Sequence, residues 1–81
     1  MEKQIEVVLY AADGCNGCHR VKEFLRQHQV PYIEKNVSKN GEYWNELTAL
    51  GSQVVPTIIL NGHVLIGLRP NRLLRLMEKY R

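Results

Sequence analysis

The sequence predicts a small α/β fold in which a four-stranded mixed sheet carries helices on both faces, with elements in the order β-α-β-α-β-β-α. Three observations carry that prediction. Gln4 to Tyr10 is a β-branched, apolar run; the segment after Cys15 switches to helical spacing; and Asn61-Gly62 separates two short apolar runs late in the chain. A chain of 81 residues is expected to form one domain spanning residues 1–81, whose core needs nearly every apolar residue.

The run from Gln4 to Tyr10 is continuous rather than alternating, as in a strand covered on both faces. Gly14 ends it. From Cys15 to about Gln29, Val21, Phe24, Leu25 and His28 mark one face of a helix while Arg20, Lys22, Glu23, Arg26 and Gln27 lie elsewhere. Val30-Pro31 should break that helix, because the residue before proline avoids the helical region. Tyr32 to Val37 then reads as a second strand, joined to the first by a right-handed crossover and parallel to it.

Ser38 or Asn40 is placed to cap a second helix carrying Tyr43, Trp44, Leu47 and Leu50, ended by Gly51. Thr57 to Leu60 and His63 to Ile66 read as two strands of a hairpin, because Asn-Gly supplies the two positive φ angles of a type I′ turn. Gly67 and Pro70 lead into a last helix. Tyr10, Tyr32, Tyr43, Trp44 and Tyr80 each fall within an apolar face or strand, which predicts packing rather than a base-stacking platform.

Composition narrows the function classes. A hydrophobic fraction of 44% with 23% charged residues fits a soluble globular chain and excludes a long disordered tract. Val7 to Ala12 is far too short to span a bilayer, and no secretory signal is recognisable, so a cytoplasmic protein with no membrane partner is expected. The net charge of +3 comes largely from Arg69, Arg72, Arg75, Lys79 and Arg81, against the single acid Glu78. Interleaved with Leu73, Leu74, Leu76, Met77 and Tyr80, these basic residues read as the solvated face of an amphipathic helix. A patch for nucleic acid or an acidic partner is the alternative, and no nucleic-acid partner is expected.

Both cysteines sit at Cys15-Asn16-Gly17-Cys18, where the first strand gives way to the first helix. Unpaired amides and the positive end of the helix dipole favour a thiolate there, which makes Cys15 the expected nucleophile. Cys18, three residues on, can close a disulfide with it and should lie deeper as the resolving thiol. Arg20 and Lys22 either add to thiolate stabilisation or point to water. Structural zinc would need four ligands, and His19, His28 and His63 lack a finger-like spacing. Cys15-Asn16-Gly17-Cys18-His19 also matches the c-type haem attachment pattern, which belongs to exported chains. No metal and no organic cofactor are therefore expected. Val54-Val55-Pro56-Thr57 precedes the third strand, where proline is tolerated because no ladder donor is needed.

In combination these residues resemble the glutaredoxin family, and within it the NrdH-redoxins and related small bacterial glutaredoxin-like proteins. The resemblance rests on Val7-Val8-Leu9-Tyr10, the Cys15-x-x-Cys18-His19 motif with Lys22, Val55-Pro56, and Gly67, in that order. It implies a thioredoxin fold with sheet order 2-1-3-4 and a cis Pro56 opposite the disulfide. Val55 and Pro56 would then bind substrate, the Val55 backbone pairing with an extended segment. Tyr10, Gly67 and Arg69 become candidate partner contacts.

The implied activity is reduction of protein disulfides, with a ribonucleotide reductase as one recipient and thioredoxin reductase as the reductant. Glutathione-using members carry a late Gly-Gly-x-Asp-Asp element; here Gly67-Leu68-Arg69-Pro70-Asn71 stands instead and resembles the Gly-Phe-Arg-Pro stretch of NrdH-redoxins. A glutathione-dependent glutaredoxin and an iron-sulfur-binding scaffold are the alternatives. Small redoxins of this kind are expected to act as monomers.

Overall fold

The computed structural model describes residues 5–80. Its elements are β1 (Val7–Ala11), α1 (Asn16–Gln27), β2 (Ile33–Asn36), α2 (Gly41–Ala49), β3 (Thr57–Leu60), β4 (His63–Ile66) and α3 (Pro70–Lys79). The strands form one sheet in the order β2-β1-β3-β4, with β1 and β2 parallel and the other two pairs antiparallel. This is the thioredoxin-like arrangement that the resemblance implied.

β1 is shorter at its start than the apolar run suggested, and Gln4 lies outside the described residues. Its partner sets that limit. Val7 faces Leu60, the last residue of β3, and beyond it Glu6 meets only the hairpin turn, its amide donating to Asn61 Oδ1 at 2.8 Å. The turn itself is as expected, with Asn61 at φ 48° and Gly62 at φ 86°.

α1 stops at Gln27, before the Val30-Pro31 step that was expected to break it. Gln29 turns left-handed at φ 57°, its amide donates to the Arg26 carbonyl at 3.0 Å, and the Val30 amide donates to that of Leu25 at 2.9 Å. This is a Schellman closure with the apolar pair Leu25 and Val30 packed beneath it. A glutamine holds the position that usually favours glycine, which is why the ending was not legible. α2 closes the same way with the predicted Gly51 at φ 87°, and Asn40 rather than Ser38 is its cap.

Alternation along β1 sorts the core. Val7, Leu9 and Ala11 join Val21 and Leu25 of α1, Leu73 and Met77 of α3, and Ile58, Leu60 and Leu65 of the hairpin. The basic residues of α3 that were expected to be solvated, Arg72, Arg75 and Lys79, are exposed on its far side; Arg81 lies outside the described residues. Trp44 departs from expectation, being 42% exposed. The inward stripe of α2 centres on buried Leu47, with half-buried Tyr43 and the C-cap Leu50 on the same side, and Trp44 sits one residue round the helix from Tyr43.

On the opposite face of β1, Tyr10 is buried and its hydroxyl donates to Glu46 of α2 at 2.8 Å. Lys35 of β2 donates to the same carboxylate oxygen at 2.7 Å. Burial, and then the bond to Glu46, raises the Tyr10 phenol above its ordinary value. The bonds from Lys35 and Tyr10 hold the Glu46 carboxyl below its ordinary value, and the bond to Glu46 raises Lys35.

Two outcomes follow. Tyr10→Phe should cost about 1 kcal/mol by removing one hydrogen bond, lowering the melting temperature by roughly 4–8 °C for a domain of this size. A carboxyl held low in the folded state stabilises above its unfolded pKa, and that contribution is lost as pH falls through the folded value. Melting temperatures of the parent and Glu46→Gln should therefore converge on acidification, with the parent the more stable near neutral pH.

Candidate active site

β1 delivers the chain to the N-terminus of α1 through a short loop that is tied down on its outer side. The Asp13 amide donates to Ser38 Oγ at 3.0 Å, and Asn36 Nδ2 donates to Asp13 Oδ1 at 3.0 Å. Cys15 follows as the N-cap of α1, with extended backbone angles, and its Sγ accepts the Cys18 amide at 3.0 Å. Sulfur thus occupies the place that a serine or aspartate oxygen usually takes in a capped helix. Cys15 and Cys18 form a disulfide with their Cα atoms 5.2 Å apart. Cys18 is buried against the core at 1% exposure, while Cys15 is half-exposed.

A polar groove of about 410 Å³ opens on the Cys15 side, lined in part by Asn16, His19, Lys22 and Lys39. Lys22 is committed elsewhere, since its Nζ lies 2.8 Å from Glu34 of β2. Arg20 is exposed, with no ion pair among the described residues. Among those residues no group of three or more His, Cys, Asp or Glu side chains is placed to hold a metal ion. Nor, among them, is any helix long and apolar enough to cross a membrane.

The second half of the site is the loop entering β3. The Val55-Pro56 bond is cis, and Pro56 packs against the first turn of α1 so closely that a Cβ on Gly17 would lie 3.2 Å from Pro56 Cδ. From the other side, the Gly67 amide donates to the Pro56 carbonyl at 2.8 Å. Cys15, Cys18, Val55, Pro56 and Gly67 therefore meet at one end of the sheet. Tyr10 does not join them: it is buried on the α2 side with its hydroxyl bonded to Glu46, the position of a packing residue rather than a partner contact. Arg69 is exposed at the N-cap of α3, its Nε donating to the Ile66 carbonyl at 3.2 Å.

Ser52, and the part played by the Thr57 hydroxyl, escaped sequence reasoning. Ser52 and Thr57 are buried at 1% and 0% exposure, their hydroxyl oxygens 2.8 Å apart. Thr57 Oγ1 donates to the Val54 carbonyl at 2.8 Å, and the Val54 amide donates to Ser52 Oγ at 3.3 Å. Together they clamp the residue before Val55 from both its backbone groups. Two hydroxyls five apart around Val-Pro were the available signal, but a serine just after a helix end reads equally as loop.

Comparison with known proteins places this geometry in a wider set. The family model described as Glutaredoxin matches residues 7–65. "Glutaredoxin-like protein NrdH" of Lactococcus lactis is 27% identical over 70 residues, covering 86% of this chain and 97% of the relative. Among solved structures, the thioredoxin-like protein BC3987 superposes with a TM-score of 0.83 at 32% identity, covering 86% of this chain and 97% of that one. The glutaredoxin-like protein NrdH-redoxin of Escherichia coli, which has a thioredoxin-like activity profile, superposes with a TM-score of 0.80 at 25% identity, covering 88% of this chain and 93% of that one.

The Ser52 clamp is open to a direct test. Ser52→Ala strands the Val54 amide and one partner of Thr57, so it should cost about 1–3 kcal/mol in a urea titration.

Proposed function

Because the chain belongs to the glutaredoxin family and is a thiol-disulfide oxidoreductase, we propose that it reduces protein disulfides, with Cys15 as nucleophile and Cys18 as resolving thiol. The observation that carries this reading is the sulfur cap: Cys15 Sγ accepts the Cys18 amide at the end of a twelve-residue helix while Cys18 lies buried beneath it. Once reduced, the capped and half-exposed sulfur is the one favoured as thiolate.

The Cys15 thiolate attacks one sulfur of the substrate disulfide, that bond breaks, and the departing substrate sulfur leaves as a thiolate that takes a proton from water. Cys18, losing its proton, then attacks Cys15 Sγ. The mixed disulfide breaks, the second substrate sulfur is released, and the Cys15–Cys18 disulfide forms, so that two electrons have passed to the substrate. An extended substrate segment is held against the Val55 backbone in the manner of an added strand.

Thioredoxin reductase is the proposed electron source, because Gly67-Leu68-Arg69-Pro70 stands where glutathione-using members hold glutathione. A ribonucleotide reductase is the proposed recipient, motivated by the likeness to proteins named NrdH. In this reading the protein works as a cytoplasmic monomer without an organic cofactor.

Two measurements test it. Cys15→Ser should abolish disulfide reduction, whereas Cys18→Ser should still form a mixed disulfide that can be trapped and weighed intact. NADPH oxidation should proceed with thioredoxin reductase and fail with glutathione plus glutathione reductase. The opposite pattern would make the protein a glutathione-dependent glutaredoxin, and turnover in neither system would bring the iron-sulfur scaffold forward.

A further inference from the structure

A second groove borders α1 through Arg20, Val21 and Phe24, where the polar one borders it through Asn16, His19 and Lys22. Its floor and walls are apolar, formed by Val21 and Phe24 of α1, Ile58 of β3, and Leu68 and Leu73 around the start of α3; Arg20 and Arg69 stand at its rim. Its volume of about 210 Å³ is below the roughly 300–1,000 Å³ of small-molecule pockets and suits one large side chain. Leu68, Arg69 and Pro70 also line the adjoining depression that reaches Arg72 and Arg75. Apolar groove and arginine patch are therefore one continuous surface.

The surface is joined to the disulfide by construction. Gly17, Arg20, Val21 and Phe24 are spaced three, four and seven residues apart, so they form one stripe of α1. Gly17 heads that stripe and touches Pro56. The far wall begins at Gly67, whose amide is bonded to the Pro56 carbonyl. Both walls of the groove thus begin at residues in contact with Pro56. Arg20, Arg72 and Arg75 are exposed and have no ion-pair partner among the described residues, and the first turn of α3 contains no acid. Leu68 is 41% exposed although it borders an apolar recess.

We propose that this groove and its arginine rim select substrate proteins, taking a segment in which a large apolar side chain is flanked by carboxylates. The apolar residue anchors in the recess as an interface hot spot does. The carboxylates speed encounter and discriminate against basic segments. A protein segment fits better than a nucleic acid, because the recess is lined by aliphatic side chains and half-buried Phe24, while exposed Trp44 is on α2.

The proposal rests on the reductase reading, and the test separates the two. The protein is reduced with dithiothreitol, freed of excess reagent, and mixed with synthetic peptides sharing one disulfide loop and one leucine, flanked by acidic, neutral or basic residues. The expected order of second-order rate constants is acidic, neutral, basic, spanning about tenfold at low ionic strength and narrowing as salt screens the arginines. Replacing the leucine of the acidic peptide by serine should slow it severalfold. The double variant Arg72→Glu, Arg75→Glu should reverse the order.

Equal rates, an order that survives in the double variant, or indifference to the leucine would overturn the proposal. So would equal peptide rates together with salt-sensitive binding of mixed-sequence single-stranded RNA, which would make the patch a nucleic-acid surface. Reduction of none of the peptides would instead defeat the reductase reading itself.

Discussion

The position of β1 at the middle of the sheet is the constraint on which the site depends. It is paired along both edges and covered on both faces, with Leu9 and Ala11 wholly buried and Tyr10 nearly so. Its register with β3 sets Tyr10 opposite Thr57, so the residues just before Thr57 must lie just beyond the end of β1. Those residues are Val55 and Pro56, and the chain leaving β1 is heading for Cys15. β4 repeats the logic, since Thr57 faces Ile66 and the next residue, Gly67, meets the Pro56 carbonyl. Disulfide, cis-proline loop and the start of the α3 segment are neighbours because three strands end together.

Holding a loop at that end requires its polar groups to be satisfied without water. Val54 is met by Ser52 and Thr57, and both hydroxyls are buried. Leaving such a group unpaired would cost about 1–3 kcal/mol. Among the described residues, no buried side-chain nitrogen or oxygen lacks a partner. On the opposite flank, Asp13, Asn36 and Ser38 play the same part for the loop before Cys15, though their bonds are exposed and compete with water.

Elements whose cause is local were legible in the sequence. The β3–β4 hairpin has the expected bounds because Asn61-Gly62 dictates its turn, and Cys15 falls at the opening of α1 because the period changes there. What depends on a distant partner was not. The start of β1 is set by where β3 ends; the end of α1 is set by Leu25 and Val30 packing under a left-handed Gln29; and Trp44 is exposed because α2 turns another stripe inward. Tyr10 shows the limit most plainly. Its place in an apolar strand predicted packing and the family resemblance suggested a partner contact, and only Glu46, 36 residues away, decides between them. Within the site, the motif cysteines could be singled out from their spacing, but the Ser52–Thr57 clamp exists only once the loop has folded back on itself.

The placement of charge suggests a division of labour. Lys22 is paired with Glu34 and Lys35 with Glu46, so two of the cations on the β2 side are spent on holding that flank together. The proposed Cys15 thiolate would not need them, because the Cys18 amide already reaches Cys15 Sγ and the α1 dipole would favour the negative charge. Among the described residues, the arginines on the α3 side have no such internal duty, apart from the bond of Arg69 to the Ile66 carbonyl. A fully solvated arginine gains little from an isolated surface carboxylate, but several arginines around an apolar recess act on a partner whose docking excludes water. The chemistry of the disulfide can then stay constant while the α3 surface varies, and the sequence from Leu68 to Arg75 is where selectivity can change without disturbing the sulfur cap.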